Sequence, residues 1–369
     1  MNIQVLQENL SKALVTASRF TSSRTQLPVL GNILLEANRN RLLVSSTNLE
    51  ISIALSIGAK VEKEGSITIP SRVITDLISN LPTGTVSLAT EKEQLTITAE
   101  KFHSTISGMN SSDFPEIPQN LGKDAFSLPK EEFLDALTQV LFAASVDETR
   151  PVLTGVLLIF KKGQLILVAT DGFRLSQKKI SIKAAVKQGS IILPKNVLME
   201  VLRLSGEVEE ILFEAKTKEG QCIFAVDSTI LSSRVLEGAF PDFERIIPKD
   251  SNLKIDLDKE ELLRAVRLAS VFARDSANIM VIRVLKDAVE LSAESQLAGS
   301  QKTQVEAKIE GSGKEFEISF NYRFLEEFLN AIKGDEIQIE FSDPNAPSLF
   351  LDPKDTQFLH IIMPVRLQD

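Results

Sequence analysis

The chain has 369 residues, 43% of them hydrophobic and 25% charged, the profile of a globular protein large enough for two or three domains. Forty-one basic and fifty acidic side chains leave a net charge of −9, which disfavours nucleic-acid binding by phosphate affinity alone. One cysteine, Cys222, excludes an intrachain disulfide or a cysteine-cluster metal site, and two histidines, His103 and His360, leave little for metal or acid–base chemistry.

The opening Met1-Asn2-Ile3-Gln4, with Glu8 close behind, has no basic region of the kind that starts a secretory signal. Apolar runs such as residues 156–160 are too short to span a bilayer, so a cytoplasmic protein without membrane contact is expected. After an extended start over residues 1–4, Val5, Leu6, Leu10, Ala13, Leu14 and Ala17 fall on one helical face and predict a helix over 5–20. Alternating stretches at 42–44 and 51–53 predict strands. Ile67-Thr68-Ile69-Pro70 then leads into a second helix over 71–81. A Pro-, Asp- and Ser-rich loop at 110–123 reads as a boundary.

The pattern then returns. Residues 125–128 precede a helix over 129–145, carried by Phe133, Leu134, Leu137, Val140 and Leu141. Strands over 165–169 and 175–180 flank Asp171-Gly172, a tight-hairpin turn. Ile191-Ile192-Leu193-Pro194 leads into a helix over 194–204, and a loop at 238–252 closes the copy. The third copy has an extended 253–257, a helix over 258–274 with Asp258 and Glu261 as a capping box, a strand at 289–291, and a helix over 321–333.

Ala13, Ala136 and Ala265 recur at spacings of 123 and 129, and Val73, Val197 and Phe324 at 124 and 127. Two landmarks with one period point to three tandem α+β repeats, each with two helices on one side of antiparallel sheet. The expected domains are 1–120, 121–250 and 251–369. The six helical segments sum to +1, leaving −10 for the remainder.

Catalytic signatures are missing. Gly311-Ser312-Gly313-Lys314 is followed by Glu315 instead of Ser or Thr and is preceded by Lys308 where a phosphate loop needs glycine, so it reads as a solvated turn. The adjacent pairs Glu131-Glu132, Glu260-Glu261 and Glu326-Glu327 diverge around their helices and read as solvated faces. His103 and His360 read as structural. No catalytic residue, cofactor or metal is expected.

Val168-Ala169-Thr170-Asp171-Gly172-Phe173-Arg174-Leu175 and the terminal Met363-Pro364-Val365-Arg366-Leu367, joined to the threefold period, resemble the bacterial DNA polymerase III beta subunit family, the replicative sliding clamps. Residues 28–34 and Phe240-Pro241-Asp242-Phe243-Glu244-Arg245 share the likeness, which covers the whole chain. The resemblance implies a non-enzymatic processivity factor: a head-to-tail homodimer whose six domains close a ring around double-stranded DNA. Topological retention would remove the conflict with the acidic composition, since a threaded ring needs only weak attraction. It implies a partner-peptide site at Leu153, Thr170, Gly172, Phe173, Arg174, Leu175, Pro241, Arg245, Ile246, Met363, Pro364, Val365 and Arg366. That site would serve the polymerase III catalytic subunit, the clamp loader and other proteins with clamp-binding motifs. Phe173 stands where the family often has histidine, and Val365 where it often has methionine, which bears on partner preference. Arg24, Arg72, Arg150, Lys195, Arg203, Arg264 and Arg267 are the DNA-contacting candidates, and Ile106, Val271 and Phe272 the dimer-interface candidates. The alternatives are an enzyme with an unrecognised carboxylate site and a peptide-binding scaffold that never encircles DNA.

Overall fold

A computed structural model describes residues 1–22, 27–183, 187–206, 209–311 and 317–366. Among these residues six α-helices fall two to a repeat: α1 (Gln7–Ser18), α2 (Ser71–Ser79), α3 (Lys130–Val140), α4 (Lys195–Leu204), α5 (Lys259–Ala273) and α6 (Tyr322–Ala331). Helix α1 starts two residues later than the apolar spacing predicts. Val5 and Leu6 belong to the strand Asn2–Leu6 and lie opposite Val86 and Thr85, because a buried strand alternation and a helical face share those positions. Helix α3 ends at Val140 and passes into a single 3-10 turn, Leu141–Ala143. Asp258 caps α5 by accepting from the Glu261 N–H at 2.8 Å, and Asn321 caps α6 by accepting from the Arg323 N–H at 3.1 Å.

Among the described residues the strands of each repeat form two groups, more than the single sheet per repeat that the sequence suggests. In the first repeat one group runs Gly65–Pro70, Asn32–Asn38, Arg41–Thr47, Ile51–Gly58, and the other Lys60–Lys63, Asn2–Leu6, Thr85–Glu91, Gln94–Ala99, Phe102–Ser107. All described pairings are antiparallel. The groups do not stay within their repeats. Thr229–Arg234 of the second repeat pairs with Ile51–Gly58 of the first, making one eight-stranded sheet. Phe358–Ile362 of the third repeat pairs with Arg174–Ser181 of the second, inside a twelve-stranded sheet.

This pairing explains why the compact units cut across the repeats. One unit is Met1–Lys130 with Met199–Val235, the other Glu131–Leu198 with Leu236–Asp369. The loops at 110–123 and 238–252 end repeats in the sequence, yet backbone hydrogen bonding carries each sheet past them.

The repeats match in detail at their hairpins. Thr170 Oγ1 donates to the Arg174 carbonyl and accepts from the Gly172 N–H, while Asp171 Oδ1 accepts from the N–H groups of Phe173 and Arg174. Thr47 Oγ1 does the same with Ile51 and Leu49, and Asn48 Oδ1 with Glu50 and Ile51. The connection is longer than a two-residue turn, with Thr170 opposite Leu175. Gly172 has φ +94°, and its counterpart Leu49 adopts φ +76°, a left-handed conformation costing about 1–2 kcal/mol for a residue with a Cβ.

In the third repeat Leu262, Val266 and Ala269 from α5 and Leu325, Phe328 and Leu329 from α6 close over Phe320, Phe341, Phe350 and Phe358. The Phe328 ring stacks on Phe358 at 6.0 Å and on His360 at 5.3 Å. Phe328→Ala should therefore cost about 3–5 kcal/mol in denaturant unfolding followed by circular dichroism. A loss below about 1 kcal/mol would mean that the aromatic cluster collapses to refill the cavity.

Candidate functional site

The hairpin at 170–175 and the terminal segment meet through the backbone. The Met363 N–H donates to the Phe173 carbonyl at 2.8 Å, continuing the ladder of Phe358–Ile362 by one bond. Pro364 then ends the ladder, having no N–H to donate. The Val365 N–H turns to the Ser319 carbonyl, 2.8 Å away on the edge strand Glu317–Asn321. The terminal segment is thus tied down as far as Val365. Leu367 lies outside the described residues.

The thirteen residues singled out from the sequence separate into surface and frame. Gly172, Phe173, Pro241, Arg245, Ile246 and Arg366 are exposed, and Met363, Pro364 and Val365 are half-buried. Phe173 is 61% exposed, an apolar ring presented to solvent at the hairpin tip. Leu153, Thr170, Arg174 and Leu175 are buried. Pro241, Arg245 and Ile246 are held by Phe243, which packs with Leu175, Val168 and Ile361. Arg245 pairs with the neighbouring Asp242 at 2.6 Å, and both side chains are exposed.

Arg174 is engaged within the chain. Its side chain is 9% exposed. Nε donates to Asp171 Oδ2 at 3.0 Å, Nη1 to Glu327, and Nη2 to the Phe142 carbonyl at 2.7 Å. The guanidinium carbon lies 4.4 Å from the Phe324 ring centre and 5.5 Å from that of Phe142. An arginine so engaged is a strut between the hairpin, the end of α3 and helix α6. Glu327 keeps the exposed helix face expected of it, its side chain 46% accessible, and in addition ties that face to Arg174. Nothing near it in sequence announces that role, because Arg174 is 153 residues away.

Below the strut, His360 is fully buried and its Nδ1 lies 2.7 Å from Ser176 Oγ. Burial, reinforced by the Arg174 charge, holds its imidazole well below the usual value of 6.5. His103 shares a 3.3 Å contact with Thr98 Oγ1.

The DNA-contacting candidates are scattered. Arg24 lies outside the described residues. Arg72 is exposed and 3.7 Å from Asp76; Arg150 is tied to Asp147 at 2.9 Å, and Arg267 to Glu326 at 3.4 Å. Arg203 pairs with Glu200, and Arg264 is exposed. Lys195 is half-buried beside Arg174, Glu327 and Asp171, and burial first, then the Arg174 charge, lowers its pKa. Its position fits the strut cluster better than a solvent-facing phosphate contact.

Of the interface candidates, Ile106 is 7% exposed and belongs to its own sheet, Phe272 packs against the third-repeat core, and Val271 is 56% exposed. Among the described residues no group of three or more His, Cys, Asp or Glu side chains could hold a metal ion, and no helix is long and apolar enough to cross a membrane. Residues 312–316 of the glycine-containing run are not described. The thiol of Cys222 is buried, which pushes its pKa up to about 12.

Sequence models of the DNA polymerase III beta subunit match in three consecutive segments: the N-terminal domain over residues 1–118, the central domain over 127–242 and the C-terminal domain over 244–366. The chain belongs to the DNA polymerase III beta subunit family. Among curated relatives, the beta sliding clamp of Staphylococcus aureus is 32% identical over 355 residues, 94% of each chain. That of Synechocystis sp. is 30% identical with both chains fully covered. The crystal structure of the DNA polymerase sliding clamp from Bacillus subtilis superposes with a TM-score of 0.94 at 26% identity, and that of the Thermotoga maritima beta subunit with 0.90 at 25%, each covering both chains completely. The fold is the α+β clamp fold in three tandem domains. As a beta subunit the chain is a processivity accessory of the replication machinery and not the polymerase itself.

The buried imidazole makes a pH dependence testable. The folded state depresses the His360 pKa, so the unfolded chain binds the extra proton more readily. Its stabilising contribution is complete above pH 6.5 and is lost as pH falls through that value toward the folded pKa. Melting temperature followed from pH 7 to about 5 should fall more steeply for the wild type than for His360→Phe. Parallel curves would show that the imidazole is not held neutral.

Proposed function

We propose that two copies of this chain join head to tail into a six-domain ring that encircles double-stranded DNA and tethers the replicative polymerase. One observation carries the reading. In both internal joins the last strand of one repeat pairs with the strand that follows the hairpin of the preceding repeat. Among the described residues, the equivalents left over are Phe102–Ser107, paired only with Gln94–Ala99, and the first part of Gly299–Gly311, whose residues Gly299–Glu306 pair only with Ala288–Ser295. They are complementary edges at opposite ends of the repeat series. Joining them between copies repeats the internal contact, and such a heterologous contact gives a closed ring when its rotation closes. Val271 and Phe272, on the helix that packs over Ala288–Ser295 and Gly299–Gly311, lie on the third-repeat side of that join, and Ile106 lies within the first-repeat edge.

In this reading the helices of the six domains line the hole, and Arg24, Arg72, Arg150, Arg203, Arg264 and Arg267 supply weak attraction to phosphate, while Lys195 belongs with the Arg174 cluster. A net charge of −9 suits a ring that must slide. The surface of Phe173, Ile246, Arg245 and residues 363–366 receives apolar peptides with acidic flanks from the polymerase III catalytic subunit, the clamp loader and other proteins with clamp-binding motifs, in the cytoplasm. Met363 supplies adaptable apolar contact for differing peptides.

Retention separates the ring from a scaffold that never encircles DNA. Protein loaded on nicked circular DNA should remain bound through gel filtration and be released when a restriction enzyme linearises the circle. Equal retention on both forms would reject encirclement. Arg150→Glu should lower loading at low salt.

The partner surface has its own test. Removing residues 364–369 leaves Phe358–Ile362 and its pairing intact, so self-association should be unchanged. Binding of a peptide from the replicative polymerase should weaken by more than about tenfold in calorimetry. Undiminished binding would place the partner site elsewhere.

A further inference from the structure

Arg174 takes an anion from outside its own hairpin as well as one within it. Asp171 belongs to the turn it braces, and Phe142 offers a carbonyl and a ring face. Glu327, half-exposed on α6, accepts from Nη1, and Phe324 one turn earlier on that helix sets its ring against the same guanidinium. Glu327 and Phe324 together form a receptor for one arginine, combining a charge-assisted hydrogen bond with a cation–π contact.

The carboxylate half of the device occurs twice, with Val197 standing where Phe324 supplies its ring. Glu200 stands three residues after Val197, as Glu327 stands three after Phe324. It is buried on α4 and accepts from Arg19 Nη1 at 3.0 Å, at the end of α1. At each internal join, then, a carboxylate on the second helix of the later repeat holds an arginine of the earlier repeat. The corresponding residue of the first repeat, Asp76, has no earlier repeat to serve and faces the neighbouring Arg72 with both side chains exposed. The carboxylate recurs at the equivalent helix position, although it holds an arginine from the end of α1 in one join and from the hairpin in the other.

We propose that Glu327 is a positioning residue of the candidate partner site, acting through Arg174 without touching the partner. With the guanidinium anchored on α6, the hairpin keeps Phe173 at the surface and its carbonyl on the Met363 N–H, so residues 363–366 and the hairpin tip stay in register. Releasing the guanidinium leaves Asp171 and the Phe142 carbonyl to compete for it and lets the tip move. The proposal rests on the partner-site reading above.

Amide hydrogen exchange on the full-length chain, resolved over 170–175 and 358–366, tests it independently of any peptide. Glu327→Gln should speed exchange at Phe173, Arg174 and Met363 by about tenfold or more, the loss expected for a charge-assisted hydrogen bond. Glu327→Asp, which keeps the charge, should give a smaller rise. Glu326→Gln, whose carboxylate meets Arg267 instead, should leave these amides at wild-type rates. In calorimetry, the Kd of a synthetic peptide copying the clamp-contacting segment of the cognate replicative polymerase should rise in the same order. Wild-type exchange at the three amides in Glu327→Gln would overturn the proposal. So would faster exchange with undiminished peptide affinity. A peptide that does not bind the wild type rejects the partner-site reading itself, and the exchange rates still decide whether Glu327 orders the hairpin.

Discussion

An unpaired β edge presents a row of N–H and C=O groups that will accept any strand of matching register. In this chain the repeats are tied together by such edges, and the two internal joins use the same pair of strands each time. The consequence is a sheet continuous across the repeat boundary, which a linker cannot imitate. A hinge at either boundary would have to break several backbone hydrogen bonds at once. The same rule, applied to the ends of the series, leaves one donor edge and one acceptor edge, and the proposed ring follows from joining them.

The candidate partner site depends on the second join. The strand Phe358–Ile362 crosses to Arg174–Ser181, and that crossing brings a terminal segment, a hairpin tip and helix α6 into one place. The Arg174 guanidinium there is compensated by carboxylates and a carbonyl. Arg174 has three hydrogen-bonded partners and two ring contacts, so the nearly buried cation is held from several sides. A frame of that kind gives the exposed Phe173 and Ile246 a fixed background.

The repeats were legible in the sequence because their signal is local. Apolar spacing on Leu10, Ala13, Leu14 and Ala17, or on Leu262, Val266 and Ala269, needs no knowledge of the rest of the chain. The hairpin and the terminal segment were legible as motifs. Their meeting was expected too, but the Arg174 strut beneath them was not. The partners of Arg174 are Phe142, 32 residues away, and Glu327, 153 away, and each looks like an ordinary helix residue in its own neighbourhood. The burial of Ile106 escaped for a similar reason, since an alternating strand shows which residues share a face but not which face is covered. Val5 and Leu6 fit both a strand and a helix, and pairing with residues 85 and 86 decided between them.

The central claim is that the two remaining edges close on each other and do so with two chains. Light scattering across a range of concentrations, with negative-stain images of the same fractions, reads this directly. The account requires a particle of twice 40.7 kDa with a central hole. A 40.7 kDa monomer at every concentration, or a ladder of open polymers that never closes, would contradict it.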